Sequence, residues 1–214
     1  MDSLLFTAPG SKDMLSNPNK SPLESLELLD PEKLNTEFPE RRQQSSGATQ
    51  DRRTHPQKPS SAALARIAGM LEKVQMFKDL EWSLIEALSG YVELYRAAPG
   101  GVLFREGDRG DFMCIVLQGK LEIHKENTQR VDKTVTTVYA GRSLGEMTIV
   151  DGEPRSATAV AIEPSTLAVL TQQNFLQIMR EKPALSAKLL LKIAQLLSQR
   201  LRLTSGILVD YLEN

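Results

Sequence analysis

The residues from Leu144 to Thr158 carry side chains whose types and spacing point to ligand chemistry. Gly145 has no Cβ, so a ligand can approach the backbone there. A short apolar run after it suits one turn of helix, whose free N–H groups and positive dipole end favour an anion. Arg155 offers a planar fork of donors matched to two phosphate oxygens, and Ser156 adds a hydroxyl. The stretch therefore predicts a phosphate-binding site.

Glu146 is an unexpected neighbour for an anion, and it makes the prediction more specific. A carboxylate only accepts hydrogen bonds, so it is a natural partner for a sugar hydroxyl, as acidic residues are for ribose in dinucleotide sites. A phosphate donor set beside a ribose acceptor indicates a nucleotide. The alternative is an ordinary surface loop with a solvated ion pair. Neither Gly145-Glu146 nor Pro154-Arg155-Ser156 would exclude that alternative by itself.

Residues 91–171 must supply the scaffold that holds this stretch. Eight of the 13 glycines lie between residues 100 and 152, and they separate short segments of alternating apolar residues. Short strands at regular spacing with glycine turns indicate an antiparallel sandwich or barrel. The predicted strands are Tyr91–Tyr95, Val102–Phe104, Phe112–Leu117, Leu121–Ile123, Thr134–Tyr139, Ala157–Ile162 and Leu167–Val169.

Helices are predicted on both sides of these strands. Residues 61–90 form a helical lead-in, with a first helix capped by Ser60 or Ser61 and a second that Gly90 stops. Residues 172–205 contain a short helix before Pro183 and a longer one from about 184 to 204. The longer helix is apolar over a wide arc, so we expect it to be covered on two sides. Gly206 is expected to end it, leaving residues 206–214 as a short tail.

The first 60 residues differ in composition from the rest. They hold seven of the 11 prolines and few aromatic residues, so we expect a disordered tail. Residues 21–34 stand apart, because their leucines lie at helical spacing behind a Ser-Pro start. They predict either a short helix that docks on a protein partner or a transient helix in a linker.

Composition narrows the function classes. The formal net charge of -1 gives no basic field of the kind nucleic-acid binders use. A single cysteine, Cys114, excludes an intramolecular disulfide framework and fits a reducing compartment. Two distant histidines make a metal site improbable, and no cofactor is expected. No apolar run is long enough for a membrane span and no leader is evident, so we expect a cytoplasmic protein.

With Gly145-Glu146 followed by Pro154-Arg155-Ser156-Ala157-Thr158, the stretch resembles the phosphate-binding cassette of cyclic nucleotide-binding domains, of the catabolite activator and cAMP-dependent kinase regulatory subunit type. The resemblance covers roughly residues 76–205. It implies a jelly-roll-like antiparallel β-roll with flanking helices. By the same resemblance Glu146 binds the ribose 2′-hydroxyl and Arg155 the cyclic phosphate. Ser156 and the backbone of Gly145, Met147 and Ala157 complete the site.

Three further residues take roles only through this resemblance. Asp111 matches a turn aspartate that orients the phosphate-binding arginine. Thr204 and Ser205 match a Thr-Ser pair in the dimerisation helix of bacterial members, where the pair contacts the base. The pair favours cAMP over cGMP only modestly, and a cyclic dinucleotide is a further candidate ligand. A homodimer through this helix is therefore an expectation.

The implied function is a stand-alone cyclic nucleotide receptor, most simply for cAMP, that repacks its C-terminal helices and changes partner binding. The alternative is a scaffold protein that keeps the fold without using the ligand. An enzyme is not expected, because no nucleophile and base, metal cluster or Walker loop is present. Only nine residues follow Ser205, too few for a helix-turn-helix, so DNA binding is not expected either.

Overall fold

The computed structural model describes residue 23 and residues 26–34, 59–127, 129 and 131–212. They form three layers: a layer of helices, a five-stranded antiparallel sheet and a four-stranded antiparallel sheet. The helices cover one face of the five-stranded sheet and the second sheet covers the other. This arrangement confirms the predicted β-roll with flanking helices.

In the described part of the chain, nine strands build the two sheets. The five-stranded sheet has the order β1-β2-β9-β4-β7, and the four-stranded sheet has the order β3-β8-β5-β6. The strands are β1 (Glu27–Leu28), β2 (Glu93–Ala97), β3 (Val102–Phe104), β4 (Phe112–Gln118), β5 (Lys120–Glu126), β6 (Asp132–Tyr139), β7 (Ser143–Leu144), β8 (Thr158–Ala161) and β9 (Ser165–Thr171). The seven predicted strands are confirmed with shifted ends, whereas β1 and β7, two residues each, were not predicted.

Two apolar cores lie on either side of the five-stranded sheet, because successive side chains of a strand point to opposite faces. In β4, Phe112 and Cys114 face the second sheet, while Met113 and Ile115 face the helices. Both faces of β9 are buried in the same way. The middle sheet is thus a shared wall, so the helix layer and the roll cannot shift independently of it.

Five helices accompany the strands in residues 59–212: α1 (Ser61–Glu72), α2 (Trp82–Ser89), α3 (Glu146–Asp151), α4 (Gln172–Glu181) and α5 (Pro183–Leu212). As predicted, Ser60 caps α1, accepting a hydrogen bond from the Ala63 N–H at 3.2 Å. Gly90 lies at the C-terminal end of α2, also as predicted. None of the helices in the described ranges is long and apolar enough to cross a membrane.

Helix α5 corrects the predicted boundary at residue 205. It runs through Gly206 as far as Leu212, so the predicted short tail, residues 206–214, begins as helix. A glycine inside a helix costs about 1 kcal/mol relative to alanine, and this single penalty does not stop the helix from continuing for about two more turns. The first half of α5 buries Leu185, Leu189 and Ile193, whereas residues 201–210 are exposed.

The N-terminal residues 26–34 also depart from prediction. Residues 27–33 do not form the predicted helix: β1 pairs antiparallel with β2, and a 3-10 turn follows at Pro31–Lys33, directly before Leu34, whose backbone is α-helical. Leu29 and Leu34 are buried in the helix-side core. This part of the predicted disordered tail is therefore packed on its own domain, because two leucines and an open strand edge offset its ordering entropy. The rest of residues 1–58 lies outside the described residues.

Replacing Leu29 by alanine tests this packing. Because the side chain is 3% exposed, Leu29→Ala should lower the free energy of unfolding by about 2–4 kcal/mol in urea titrations. Leu28→Ala is the matched control, since the neighbouring leucine is 61% exposed and should change stability by less than about 0.5 kcal/mol. Equal effects of the two substitutions would contradict the seating of this segment.

Candidate functional site

The predicted cassette connects β7 to β8 around the six-residue helix α3. A glycine in the left-handed region stands at each end, Gly145 with φ 77° and Gly152 with φ 71°. At Gly145 space is restricted as well, because an added Cβ would lie 2.5 Å from Nη1 of Arg155. The glycine is needed for its backbone conformation and for the closeness of the arginine.

Arg155 is fixed through its backbone to the loop between β3 and β4. Its N–H donates to the Asp108 carbonyl and its carbonyl accepts from the Gly107 N–H, both at 2.8 Å. The side chain is 2% exposed and enters the end of the core between the two sheets. There the guanidinium carbon lies 4.1 Å from the ring centroid of Phe104 and 4.4 Å from that of Phe112, so the cation stacks on two aromatic rings.

The hydrogen bonds of Arg155 use one of its three nitrogens. Nη1 donates to the Thr148 hydroxyl at 2.9 Å and to the Gly145 carbonyl at 3.2 Å. Nε and Nη2 are buried and have no partner among the described residues. Burial lowers the pKa of the guanidinium, and the charges of nearby acidic groups oppose that shift. The group stays cationic at neutral pH, so two buried N–H sites remain free to donate.

Glu146 occupies the first position of α3, and its side chain is buried. Its Oε1 accepts a hydrogen bond from Nη1 of Arg200, which belongs to α5. The other end of the same guanidinium donates to the Ser143 carbonyl at 2.6 Å. Oε2 of Glu146 has no partner in the part of the chain that the structure describes. A buried carboxylate oxygen and two buried guanidinium nitrogens therefore lie unpaired within one cassette.

The remaining cassette residues are more open. Ser156 is exposed, its carbonyl accepts from Nζ of Lys125 at 2.7 Å, and that lysine also pairs with Glu106 at 3.0 Å. Met147 is exposed and Ala157 is half-buried. The Ser156 hydroxyl and the neighbouring backbone thus lie at the exposed rim of the cassette, where Lys125 fixes the Ser156 carbonyl.

The other predicted site residues make fewer contacts with the cassette. Asp111 contributes its negative charge near Arg155, but the guanidinium donates its hydrogen bonds to the Thr148 hydroxyl and the Gly145 carbonyl. Thr204 and Ser205 are exposed on α5, and the Thr204 hydroxyl donates to the Arg200 carbonyl at 3.0 Å. Their base-contacting role stays a prediction.

Several residues of the site were not predicted from the sequence. Phe104 and Phe112 read as ordinary strand residues, and Thr148 as part of a short helix. Gly110 was assigned to a turn, yet an added Cβ there would lie 2.7 Å from Nε of Arg155. Arg200 was given no role either, although one signal was available: it lies one helical turn before Thr204, on the same side of the helix as the predicted base contact.

Chemically, the arrangement can bind an anion beside a hydroxyl donor. No group of acidic, histidine or cysteine side chains suited to a metal ion occurs within the described ranges. Cys114 is fully buried, and burial raises the pKa of its thiol to about 12, so it remains a neutral core residue. The buried polar groups of the cassette that have no partner among the residues described are therefore guanidinium donors and one carboxylate acceptor.

An antiparallel roll interrupted by a glycine-flanked helix beside a buried arginine defines the class: a β-roll domain with a cassette suited to an anionic ligand. The family model of the cyclic nucleotide-binding domain matches residues 94–182. A solved cyclic nucleotide-binding domain from Methylobacillus flagellatus is 30% identical, with a TM-score of 0.63, and the match covers 71% of this chain and 85% of that one. This chain belongs to the cyclic nucleotide-binding domain family.

Two relatives of known role show how far the similarity extends. The cyclic AMP receptor protein of Thermus thermophilus is 28% identical over 59% of this chain and 57% of its own length. A cAMP-dependent protein kinase regulatory subunit from Blastocladiella emersonii is 29% identical over 55% of this chain and 29% of its own. The chain thus matches less than two thirds of the length of either relative.

The position of Gly110 generates a test of the site's rigidity. Gly110→Ala should lower the free energy of unfolding by about 1–3 kcal/mol, because Arg155 is held between two rings and cannot yield to the added methyl group. Gly69→Ala is the control, since an added Cβ meets nothing within 4 Å in the middle of α1 and alanine favours the helix. Urea denaturation of both variants measures the difference, and a neutral Gly110→Ala would show that Arg155 is mobile.

Proposed function

We propose that this chain is a cyclic nucleotide receptor, most simply for cAMP, in which the bound ligand alters the packing of α5. The observation that supports this best is the set of unpaired buried groups in the cassette, Nε and Nη2 of Arg155 and Oε2 of Glu146. Buried polar groups are normally hydrogen-bonded, and leaving them unpaired is costly. A ligand that supplies acceptors to the arginine and a donor to the glutamate satisfies all three.

A cyclic phosphate has the chemistry that Arg155 requires. Its two exocyclic oxygens share one negative charge, and a guanidinium edge with two free N–H groups binds such a pair well. Because the arginine is fixed by its backbone and by two rings, little side-chain entropy is lost on binding. Ser156 and the N–H groups of Met147 and Ala157 are proposed to complete the phosphate contacts.

A ribose hydroxyl has the chemistry that Glu146 requires. The 2′-hydroxyl of a 3′,5′-cyclic nucleotide is free, and it can donate to Oε2 while Oε1 stays bonded to Arg200. The preference for cAMP is supported by the names of two relatives, a cyclic AMP receptor protein and a cAMP-dependent kinase regulatory subunit. Thr204 and Ser205 are the proposed contacts to the base, and they would admit cGMP with modest discrimination.

Glu146 is also the proposed link through which ligand binding affects α5. One carboxylate oxygen is proposed to serve the ribose and the other bonds Arg200, so a shift of the carboxylate on binding changes the best position of Arg200. The ligand moves the helix only to the extent that it binds one arrangement more tightly. Partner binding is proposed to follow the position of the exposed second half of α5.

That exposed half also supports the proposal of a homodimer. Leu201, Leu208 and Leu212 are exposed and lie within one narrow stripe of α5, at the seven- and four-residue spacing of a coiled-coil seam. Seams of this kind are covered by a second helix in water. In a dimer through this face, two cassettes would lie beside one shared pair of helices.

A second candidate function is a scaffold that does not use the ligand. It is favoured by the internal contacts of the two key side chains, since Arg200 pairs with Glu146 and Arg155 stacks on Phe104 and Phe112. In that case the cassette stabilises the domain and holds α5 in one place. Ligand titration separates the two functions directly.

Calorimetric titration of the full chain with cAMP, cGMP and cyclic dinucleotides tests the receptor. We expect cAMP to bind most tightly, and Arg155→Ala to weaken it by about 3–5 kcal/mol, because the phosphate then lies buried without its counter-charge. This corresponds to a loss of affinity on the order of a thousandfold.

Arg109→Ala is the matched control for that titration. Arg109 is an exposed arginine of the adjacent loop, so its removal should leave the affinity within about twofold. No heat of binding with any cyclic nucleotide would favour the scaffold. Unchanged affinity in Arg155→Ala would refute the assignment of the phosphate to this residue.

Hydrogen exchange tests the coupling to α5. In the wild type we expect cAMP to change the exchange rates of amides in residues 198–212. In Arg200→Gln the domain should still bind cAMP, with affinity reduced by less than that of Arg155→Ala, but this change at α5 should vanish. The reason is that the only described side-chain contact between Glu146 and α5 is then lost.

Arg202→Gln serves as the control two residues along the same helix, because Arg202 bonds Ser198 within α5 instead of the cassette. It should keep the wild-type response to cAMP. If Arg200→Gln also keeps that response, the coupling does not pass through Glu146.

A further inference from the structure

Residues 26–34, called the edge segment below, are seated on the domain as an extended peptide. The segment lies outside the 94–182 region that matches the family model. Glu27 pairs with Arg96 and Leu28 with Tyr95 in antiparallel register, and the Leu29 N–H donates to the Leu94 carbonyl at 2.8 Å. The segment thus adds a strand to the open edge of β2, a common way for a sheet to bind a peptide.

Two apolar anchors fix the segment in place. Leu29 and Leu34 are each 3% exposed and pack in the core formed by α1, α2 and the five-stranded sheet, whereas Leu28 points to solvent. The β2 edge and the side of α1 therefore form a groove with two leucine sites. Leucines five positions apart on an extended segment followed by a turn match these two sites.

Acidic side chains of the segment face basic groups of the groove. Glu27 lies 3.6 Å from Arg96, and Glu32 lies 3.8 Å from Arg66. The Glu32 carboxylate also accepts from the Ser60 N–H at 2.7 Å and from the Ser60 hydroxyl at 3.0 Å, at the start of α1. The groove therefore recognises an extended, acidic, leucine-anchored peptide, and this chain carries one.

We propose that the β2 edge accepts the edge segment of a second copy of this chain as well as its own, so that two copies exchange segments. Among the described residues, the contacts that seat the segment are made with residues 60 and beyond, and 24 residues, 35–58, separate the two parts. A connection of that length spans at most about 80 Å, enough to reach a neighbouring domain. The contacts are the same in both arrangements, which makes exchange a low-cost route to a dimer.

This exchange does not depend on nucleotide binding. The groove lies on the outer edge of the five-stranded sheet, at β2, while the cassette follows β7 at the opposite edge of the same sheet. A dimer through α5 and an exchange through β2 would use separate surfaces. Segment exchange joins the N-terminal parts of two copies.

Cysteine pairs across the β1–β2 register test the proposal with the full chain. One preparation carries Glu27→Cys and another carries Arg96→Cys, so an intermolecular disulfide between residues 27 and 96 forms only when the segment of one copy lies on the β2 of another. Directly opposed residues of antiparallel strands are within disulfide range. The native Cys114 is buried, so it does not compete.

After mixing and mild oxidation, we expect mass spectrometry to detect the 27–96 disulfide several-fold above the control. The control mixture pairs Glu27→Cys with Arg109→Cys, an exposed position away from β2, and it measures encounters through any other association. Adding Glu32→Gln to the Arg96→Cys chain should raise the yield further. That change weakens the chain's own segment at Ser60 and leaves the incoming segment intact.

A single chain with both Glu27→Cys and Arg96→Cys checks the register, since it should form the bond internally. If the internal bond forms but the mixed preparations never exceed the control, with or without Glu32→Gln, each segment stays with its own chain and the proposal is wrong. Failure of the internal bond would remove the docking geometry on which the proposal rests.

Discussion

The burial of one positive charge, that of Arg155, is the constraint around which the roll is arranged. A lone guanidinium inside a protein is costly, so its surroundings must compensate. Two aromatic rings flank it, a threonine and a carbonyl accept from it, and the β3–β4 loop clamps its backbone. Two glycines leave room for it. These groups come from four separate parts of the chain, which explains why a local motif needs a whole roll around it.

The second organising feature is the middle sheet, which separates two cores and belongs to both. Phe112 and Met113, adjacent in β4, face the arginine side and the helix side respectively. The first half of α5 is held on the helix side by apolar packing and by the pairs Lys188–Glu81 at 3.1 Å and Lys192–Asp79 at 2.8 Å. The second half meets the cassette through Arg200. Helix α5 therefore contacts both the helix-side core and the cassette.

Much of the scaffold was predictable because its signals are local. Alternating apolar residues between glycine turns gave seven strands, and Ser60 and Gly90 gave two helix ends. The cassette was predictable for the same reason, since Glu146 and Arg155 are only nine positions apart. Long-range contacts were not predictable. The stacking of Arg155 on Phe104 and the pairing of Glu146 with Arg200 depend on how distant segments of the chain meet.

The errors have physical causes too. Leucines at residues 23, 26 and 29 fit a helical period, but an open edge of β2 with leucine-sized sites alongside offered more burial than an isolated helix could gain. Gly206 was read as a stop because glycine often ends helices. In α5 the apolar sequence beyond it continues the helical pattern, and one glycine is a small penalty against that continuation.

Because α5 has 30 residues without a break, it is a rod about 45 Å long. Its first half is fixed in the helix-side core as far as Leu197, so a displacement of the helix falls on the half beyond that residue. Arg200 lies near the start of this free half, and a tilt of about 10° about Leu197 would displace Leu212 by about 4 Å, given a rise of about 1.5 Å per residue. Because the helix continues unbroken through Gly206, its far end would follow any movement of Arg200, which a hinge at that position would prevent.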